Sequence, residues 1–198
     1  MIRLFDLFFS LTGLVILSPV CLVIIILIPL DSRGGIFFFQ TRVGKGGKLF
    51  RLIKFRTMVP GAQQKGNLTV GTRDPRITGI GLFLRKYKLD EIPQLFNVLN
   101  GDMSLVGPRP ELRKYVEMYT EEQKKVLSVR PGITDYASIE YFYENEILGQ
   151  SADPEKTYLE EVMPAKIRLN MKFIEDPSVS NYMKILYSTM CRVFHLNS

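Results

Sequence analysis

The residues best suited to chemistry in this 198-residue chain lie in the run RKYKLDEIPQLFNVLNGDMSLVGPRP, Arg85 to Pro110. Two adjacent carboxylates, Asp90 and Glu91, follow three cations and stand just ahead of Pro93. Local structure accounts for part of this. Ile92, Leu95, Phe96 and Leu99 recur at helical spacing, Asn100-Gly101 provides a stop, and Pro93 falls in a first turn where a missing N–H is tolerated. Asp90 is then the expected N-cap and Glu91 favours the positive end of the helix, each contributing about 0.5–1 kcal/mol. A cap, however, needs no cationic neighbours. Arg85 and Lys88 lie close to the pair in sequence, while Arg109 sits between two prolines and Arg130 precedes one, so both are biased to extended backbone. A helix N-terminus with arginines favours a phosphate, and a carboxylate beside it can hold Mg²⁺ or attack phosphorus. Such attack joins two anions and therefore requires neutralisation by arginine and metal. The cations and helix N–H groups are expected to keep Asp90 ionised.

Other chemistries find little support. Two cysteines, Cys21 and Cys191, and a single histidine, His195, form neither a disulfide framework nor a zinc-ligand cluster, and they leave no Ser-His-Asp or Cys-His arrangement. The net charge of +6 favours an anionic partner, whether nucleic acid, an acidic membrane face or a phosphorylated substrate. No nucleic-acid-binding motif is present, so nucleic acid is not an expected partner.

The elements around the acids begin with an apolar N-terminus. Leu7 to Leu30 carries no charge, and as a helix this stretch would be roughly 36 Å long, enough for a ~30 Å hydrocarbon core. Pro19, after Ser18, is expected to kink or break it near the middle. Two arrangements compete: a kinked span, or a helix that turns back at Ser18-Pro19, with Ser18 helping to satisfy the freed backbone groups. Seven Lys or Arg and no acid between Arg33 and Arg56 keep the following domain cytoplasmic in either case.

That following stretch, GIFFFQTRVGKGGKLFRLIKFRTM, reads as a β-hairpin around Gly44 to Gly47, its basic side chains facing headgroups or substrate. Val59 to Gly81 reads as an irregular loop and Ile80, Phe83, Leu84 and Tyr87 as a short amphipathic helix ending near Lys88. Helices are expected from Pro110 to about Lys125, from Asp153 as N-cap with Pro154 at its first position, and after Pro164. The closing run NYMKILYSTMCRVFHL is apolar enough to pack on the core or rest in a membrane interface.

KFRTM (Lys54 to Met58), DPRIT (Asp74 to Thr78), LRKYKLDEIPQLFNVLNGDMSLVGPRP (Leu84 to Pro110) and RPGIT (Arg130 to Thr134) occur in this order behind a hydrophobic segment with Ser18-Pro19. Together they closely resemble the bacterial sugar transferases, small monotopic polyprenyl-phosphate phosphoglycosyl transferases, over nearly the whole chain. The resemblance implies an α+β, predominantly helical, membrane-associated protein with a β-hairpin. It implies an N-terminal re-entrant membrane helix, residues 1–32, broken at Ser18 and Pro19, and a catalytic domain with interfacial helices, residues 33–198, on the cytoplasmic face of the bacterial inner membrane. The implied activity is transfer of a sugar 1-phosphate from a UDP-sugar to undecaprenyl phosphate, releasing UMP and beginning a lipid-linked surface glycan or glycoconjugate. By the same resemblance Asp90 is the nucleophile of a covalent phosphosugar-aspartyl intermediate and a ligand of Mg²⁺, and Glu91 supports it by activating the lipid phosphate. Lys54, Arg85, Arg109 and Arg130 are implied to hold phosphates or brace the site. Membrane lipids are implied partners, and a homodimer is left open.

After RPGIT the chain departs from the family's commoner pattern. Phe142 stands where many relatives carry an arginine of the nucleotide-phosphate site, and between Pro131 and Ala165 the only cation is Lys156. The segment is acidic instead, through Asp135, Glu140, Glu144 and Glu146, and with the loop Val59–Gly81 it is expected to help set sugar specificity. The alternative from another class is a non-catalytic basic module that binds a membrane surface through its hairpin, which gives no role to the ordered motifs from Leu84 to Thr134.

Overall fold

The computed structural model describes residues 1–66, 68–71 and 74–195. The expected loop Val59–Gly81 is therefore described except at Asn67, Thr72 and Arg73. The chain opens on α1, Ile2–Asp31. This helix runs on through Pro19 and Pro29 instead of ending at the Ser18-Pro19 pair. Pro19 has no amide to offer the Val15 carbonyl four residues back, and the Ser18 Oγ donates to that carbonyl at 2.7 Å. The freed acceptor is thus satisfied from within the helix. The apolar stretch of α1 is only 11% buried, which separates it from the core helix of a soluble fold.

Both ends of α1 are bonded to the rest of the protein. Near its start Arg3 donates to the carbonyls of Val98 and Leu99 at 2.6 and 2.9 Å. One turn later the buried Asp6 accepts from Ser104 Oγ, Leu105 N and Tyr182 Oη at 2.8, 2.9 and 2.9 Å. At the other end Ile24 and Ile28 pack with Phe55, Leu84 and Ile92, and Asp31 accepts from the Ile80 amide at 2.9 Å.

The hairpin forms as expected: β1, Phe37–Val43, pairs antiparallel with β2, Leu49–Phe55. The turn uses positive φ at Gly46 and Gly47, a conformation that suits residues without a Cβ. The loop that follows contains a short 3₁₀ turn, Ala62–Lys65. Then come α2, Gly79–Lys86, capped by Thr78, the 3₁₀ turn Leu89–Glu91, and α3, Gln94–Asn100. A second sheet, absent from the sequence reading, pairs β3, Ser104–Val106, in parallel with β4, Gly132–Thr134. The glycines of GPRP and RPGIT permit it, since a Cβ on Gly132 would lie 2.1 Å from the Gly107 nitrogen.

Between these strands the single helix expected from Pro110 to Lys125 is replaced by α4, Arg113–Val116, and a separate 3₁₀ stretch, Gln123–Ser128. After β4 come α5, Tyr136–Glu140, α6, Glu144–Gly149, and α7, Pro154–Thr157, the last capped by Asp153 as expected. A π-helical turn, Tyr158–Val162, joins α7 to α8, Met163–Glu175, and α9, Val179–His195, follows. Tyr182 and Ile185 of α9 are fully buried with Leu52, Val98, Met103 and Phe173, so this helix packs on the core. A second cluster, including Tyr115, Tyr158, Val162 and Ile167, holds α4 against α8. The described protein is a mixed helix and sheet fold in which most residues are helical.

Candidate active site

The position of the two acids follows from one buried amide. Asn97 of α3 accepts from the Ile53 N–H at 3.0 Å and donates to the Arg51 carbonyl at 2.8 Å. It thereby completes the free edge of β2 as a further strand would and locks α3 to the hairpin. This brings Lys54 of β2 to the 3₁₀ turn ahead of α3, where its Nζ lies 2.7 Å from Glu91 Oε1. Arg109 reaches the same carboxylate at 2.6 Å. Its backbone is held by Asp135, which accepts from the Arg109 N–H at 2.9 Å while capping α5. The sequence pattern alone marks neither Asn97 nor Asp135 as a positioning residue. An Asn on the buried face of a helix is the signal that could have found the first.

Asp90 is not the N-cap of the helix. It lies inside the 3₁₀ turn, Lys88 with a left-handed backbone stands at the cap position, and Pro93 precedes α3 without a side-chain cap. The turn tightens because Pro93 has no amide, so the i→i−3 bonds Glu91 N to Lys88 O and Ile92 N to Leu89 O close it instead.

The two carboxylates, both buried, are treated oppositely by their surroundings. Burial alone would raise Glu91, but Arg109, Lys54 and Lys88 overcome it and hold this carboxyl well below the usual range. Glu91 in turn raises Arg109. Lys54 is lowered by burial, with Glu91 opposing. Asp90 makes no side-chain hydrogen bond or ion pair among the described residues. Burial raises its carboxyl above the usual value, Lys54 pulls the other way, the charge on Glu91 adds to the rise, and Arg85 and Lys88 oppose it. The cations favour the ionised form of Asp90, as expected, while desolvation works against them and sets the net direction.

The pair opens into a cleft of about 590 Å³ between the hairpin, the loop after it, and the segment from Ser138 to Lys166. Lys54, Arg85, Lys88, Arg109, Asp90 and Glu91 all line it. Arg85 donates to the hydroxyls of Thr57 and Thr69 at 2.8 and 3.1 Å, so no carboxylate cancels its charge directly. Arg130 is not among the lining residues. It is exposed and donates to the Gly101 carbonyl at 2.9 Å, past the end of α3 where Arg3 also binds. Acids at one end of this short helix and arginines at the other complement its dipole. Arg76 of DPRIT also lines the cleft, gripping Asp74 at 2.6 Å and donating to the Gly66 and Leu68 carbonyls, which folds the loop into a wall. Phe142 lines the opposite wall, and the nearby acid Glu144 is paired with Lys166 at 2.7 Å.

Among the described residues no three acidic, histidine or cysteine side chains gather as a metal cage. The donor set nevertheless suits Mg²⁺, which is commonly held by one or two carboxylates together with substrate phosphates and water. Asp90 is a buried carboxylate without a bonded partner, and Glu91 is already committed to two cations.

The sequence that builds this cleft falls in a recognised family. The sequence pattern of the bacterial sugar transferase family matches residues 1–196, and the chain belongs to that family. It is 48% identical over 120 residues, 61% of its own length and 67% of the relative's, to a Bacillus subtilis (strain 168) protein provisionally named an undecaprenyl-phosphate N-acetylgalactosaminyl 1-phosphate transferase. Over 188 residues it is 36% identical to the UDP-N-acetylgalactosamine-undecaprenyl-phosphate N-acetylgalactosaminephosphotransferase of Aeromonas hydrophila, covering 93% of this chain and 41% of that one. The UDP-glucose:undecaprenyl-phosphate glucose-1-phosphate transferase of Escherichia coli (strain K12) is 35% identical over 184 residues, 91% of this chain and 37% of that one. The chain thus spans about two fifths of the length of the last two relatives.

Proposed function

We propose that this protein transfers a sugar 1-phosphate from a UDP-sugar to undecaprenyl phosphate, with release of UMP, by way of a phosphosugar ester on Asp90. The observation that carries the reading is the asymmetry of the pair: Glu91 is neutralised by Lys54 and Arg109, while Asp90 faces a cationic cleft unbonded. An Asp90 oxygen attacks the phosphorus that bears the sugar, and the bond from that phosphorus to the bridging oxygen breaks, the oxygen leaving with UMP. An oxygen of the lipid phosphate then attacks the same phosphorus, and Asp90 is released as a carboxylate. Arg85 and Arg109 hold phosphate oxygens, and desolvation of Asp90 strengthens it as a nucleophile. Glu91 is already committed to Lys54 and Arg109, so its role is to fix these two cations rather than to activate the acceptor. When bound at Asp90, Mg²⁺ would neutralise diphosphate charge.

The membrane disposition belongs to the same reading. The apolar outer face of α1, including Leu11, Val15, Ile16, Leu22 and Val23, is exposed. Both ends of the helix are bonded to the globular part. This supports a helix that enters and leaves the bilayer on one face, residues 1–32, with residues 33–198 as a catalytic domain at the cytoplasmic surface, where donor and lipid phosphate meet.

The test is to give purified protein Mg²⁺, undecaprenyl phosphate and a panel of UDP-sugars and measure UMP. At least one sugar should yield UMP, and chelation of the metal should stop it. With a donor radiolabelled at the phosphate next to the sugar, wild type should become labelled in the absence of acceptor and Asp90→Asn should not. Persistent labelling of the variant with normal turnover would remove Asp90 from the nucleophile's role.

A further inference from the structure

Lys88 is the basic residue of the cleft that the protein itself does not use. The other basic side chains lining the cleft are bonded to protein groups, Lys54 and Arg109 to Glu91 and Lys166 to Glu144 among them. Among the described residues the Lys88 ammonium makes no hydrogen bond or ion pair, and its Nζ rests 4.9 Å from the centre of the Phe142 ring. Its backbone is unusual as well. With φ at 56° it is the one non-glycine residue in the left-handed region among those described. Glycine or asparagine would occupy that position with less strain, so the turn gains nothing from a lysine. The side chain is what distinguishes it. The strained residue opens the 3₁₀ turn that carries Asp90 and Glu91, and its charge acts on both carboxylates. An exposed lysine is ordinarily a solvated one. This one is aimed at an aromatic face inside the cleft, where the cation–π contact is weak enough to be exchanged for an anion.

We propose that Lys88 is the displaceable cation of the cleft, parked on Phe142 in the free protein and transferred to the diphosphate of a nucleotide-sugar donor on binding. The inference rests on the transferase reading above and adds a donor-binding residue to it. Phe142 then serves as the resting platform of the lysine, and the donor's negative charge drives the exchange, since a hydrogen bond between charged partners outweighs an exposed cation–π contact.

The experiment compares Lys88→Asn, which accepts the left-handed backbone without the charge, with Lys88→Arg, which keeps the charge. Lys88→Asn should raise the KM for the UDP-sugar about tenfold, the scale of one charged hydrogen bond, and weaken inhibition by UDP by the same factor. Its KM for undecaprenyl phosphate and its thermal midpoint should stay at wild-type values, which a merely structural role for Lys88 would not predict. Lys88→Arg should recover most of the loss. UDP-induced thermal stabilisation of wild type and Lys88→Asn is measured alongside, so that donor binding is judged even without turnover. If wild type releases no UMP from any sugar, the transferase reading fails, and Lys88 stands or falls on whether the variant loses UDP stabilisation. Donor KM, UDP inhibition and UDP stabilisation all within twofold of wild type in Lys88→Asn would overturn the proposal.

Discussion

Asp90 and Glu91 are neighbours with opposite electrostatic histories, and substitution should separate them. Glu91 is the shared counter-ion of Lys54 and Arg109. Glu91→Gln leaves two cations partly buried without their partner and should destabilise the protein by about 3 kcal/mol, measured by denaturant unfolding. Asp90 has no such partner, and a desolvated carboxylate costs free energy. Asp90→Asn should therefore raise the thermal midpoint by a few degrees in metal-free buffer while removing transfer, an effect on the scale of about 1 kcal/mol. A lowered midpoint would show that the Asp90 charge is satisfied in the folded state after all. That both acids lie together at a helix start beside Arg85 and Lys88 was legible in the sequence, because those residues and Pro93 are local. Their unequal burial and pairing were not, since Lys54 and Arg109 come from segments remote in the chain.

At the scale of elements, the loop after the hairpin is organised by a single ion pair. Asp74 and Arg76 are bonded at 2.6 Å, and Arg76 also ties the Gly66 and Leu68 carbonyls. Hydrogen bonding from Arg76 lowers the Asp74 carboxyl below its usual 3.8, with burial opposing. A depressed carboxyl contributes stability that is fully present above its unfolded value and lost as pH falls through the folded one. Proteolytic cleavage within residues 59–71 should accordingly rise below about pH 4. Asp74→Asn should show the enhanced cleavage already at neutral pH, and an unchanged cleavage pattern would exclude this brace. The hairpin, α2 and the Asp153 cap were readable because alternation, helical spacing and Asp-Pro starts are local signals. The parallel pair β3 and β4 and the broken helix after Pro110 were not, because three-residue strands carry no period and are made by a partner some thirty residues away.

For the whole molecule, the decisive feature is how α1 is attached. Asp6 accepts three hydrogen bonds, two from β3 through the Ser104 hydroxyl and the Leu105 amide and one from Tyr182 of α9. Asp6→Ala should destabilise the protein by about 2–3 kcal/mol and loosen α1 from the rest of the fold, read as faster proteolysis after Asp31 in detergent. The proposed topology, with both ends of α1 on one side of the membrane, can be tested directly. Single cysteines at Leu4 and Arg33, in a background lacking Cys21 and Cys191, should react with a membrane-impermeant thiol reagent from the same side of sealed vesicles. Reaction from opposite sides would restore the spanning arrangement.

Hydropathy and the order of four motifs were enough to determine the family and the mixed helical fold, because each motif is written in residues close together in the chain. Tertiary structure decided what those residues do to one another. It put Arg130 on the far end of α3, made Asn97 and Asp135 the residues that position Glu91's partners, turned Arg3 and Asp6 into anchors of α1, and left Asp90 unpaired beside a loose Lys88. Burial and pairing depend on which distant segments meet, and only the packed chain sets the local dielectric and the cations that each carboxylate feels.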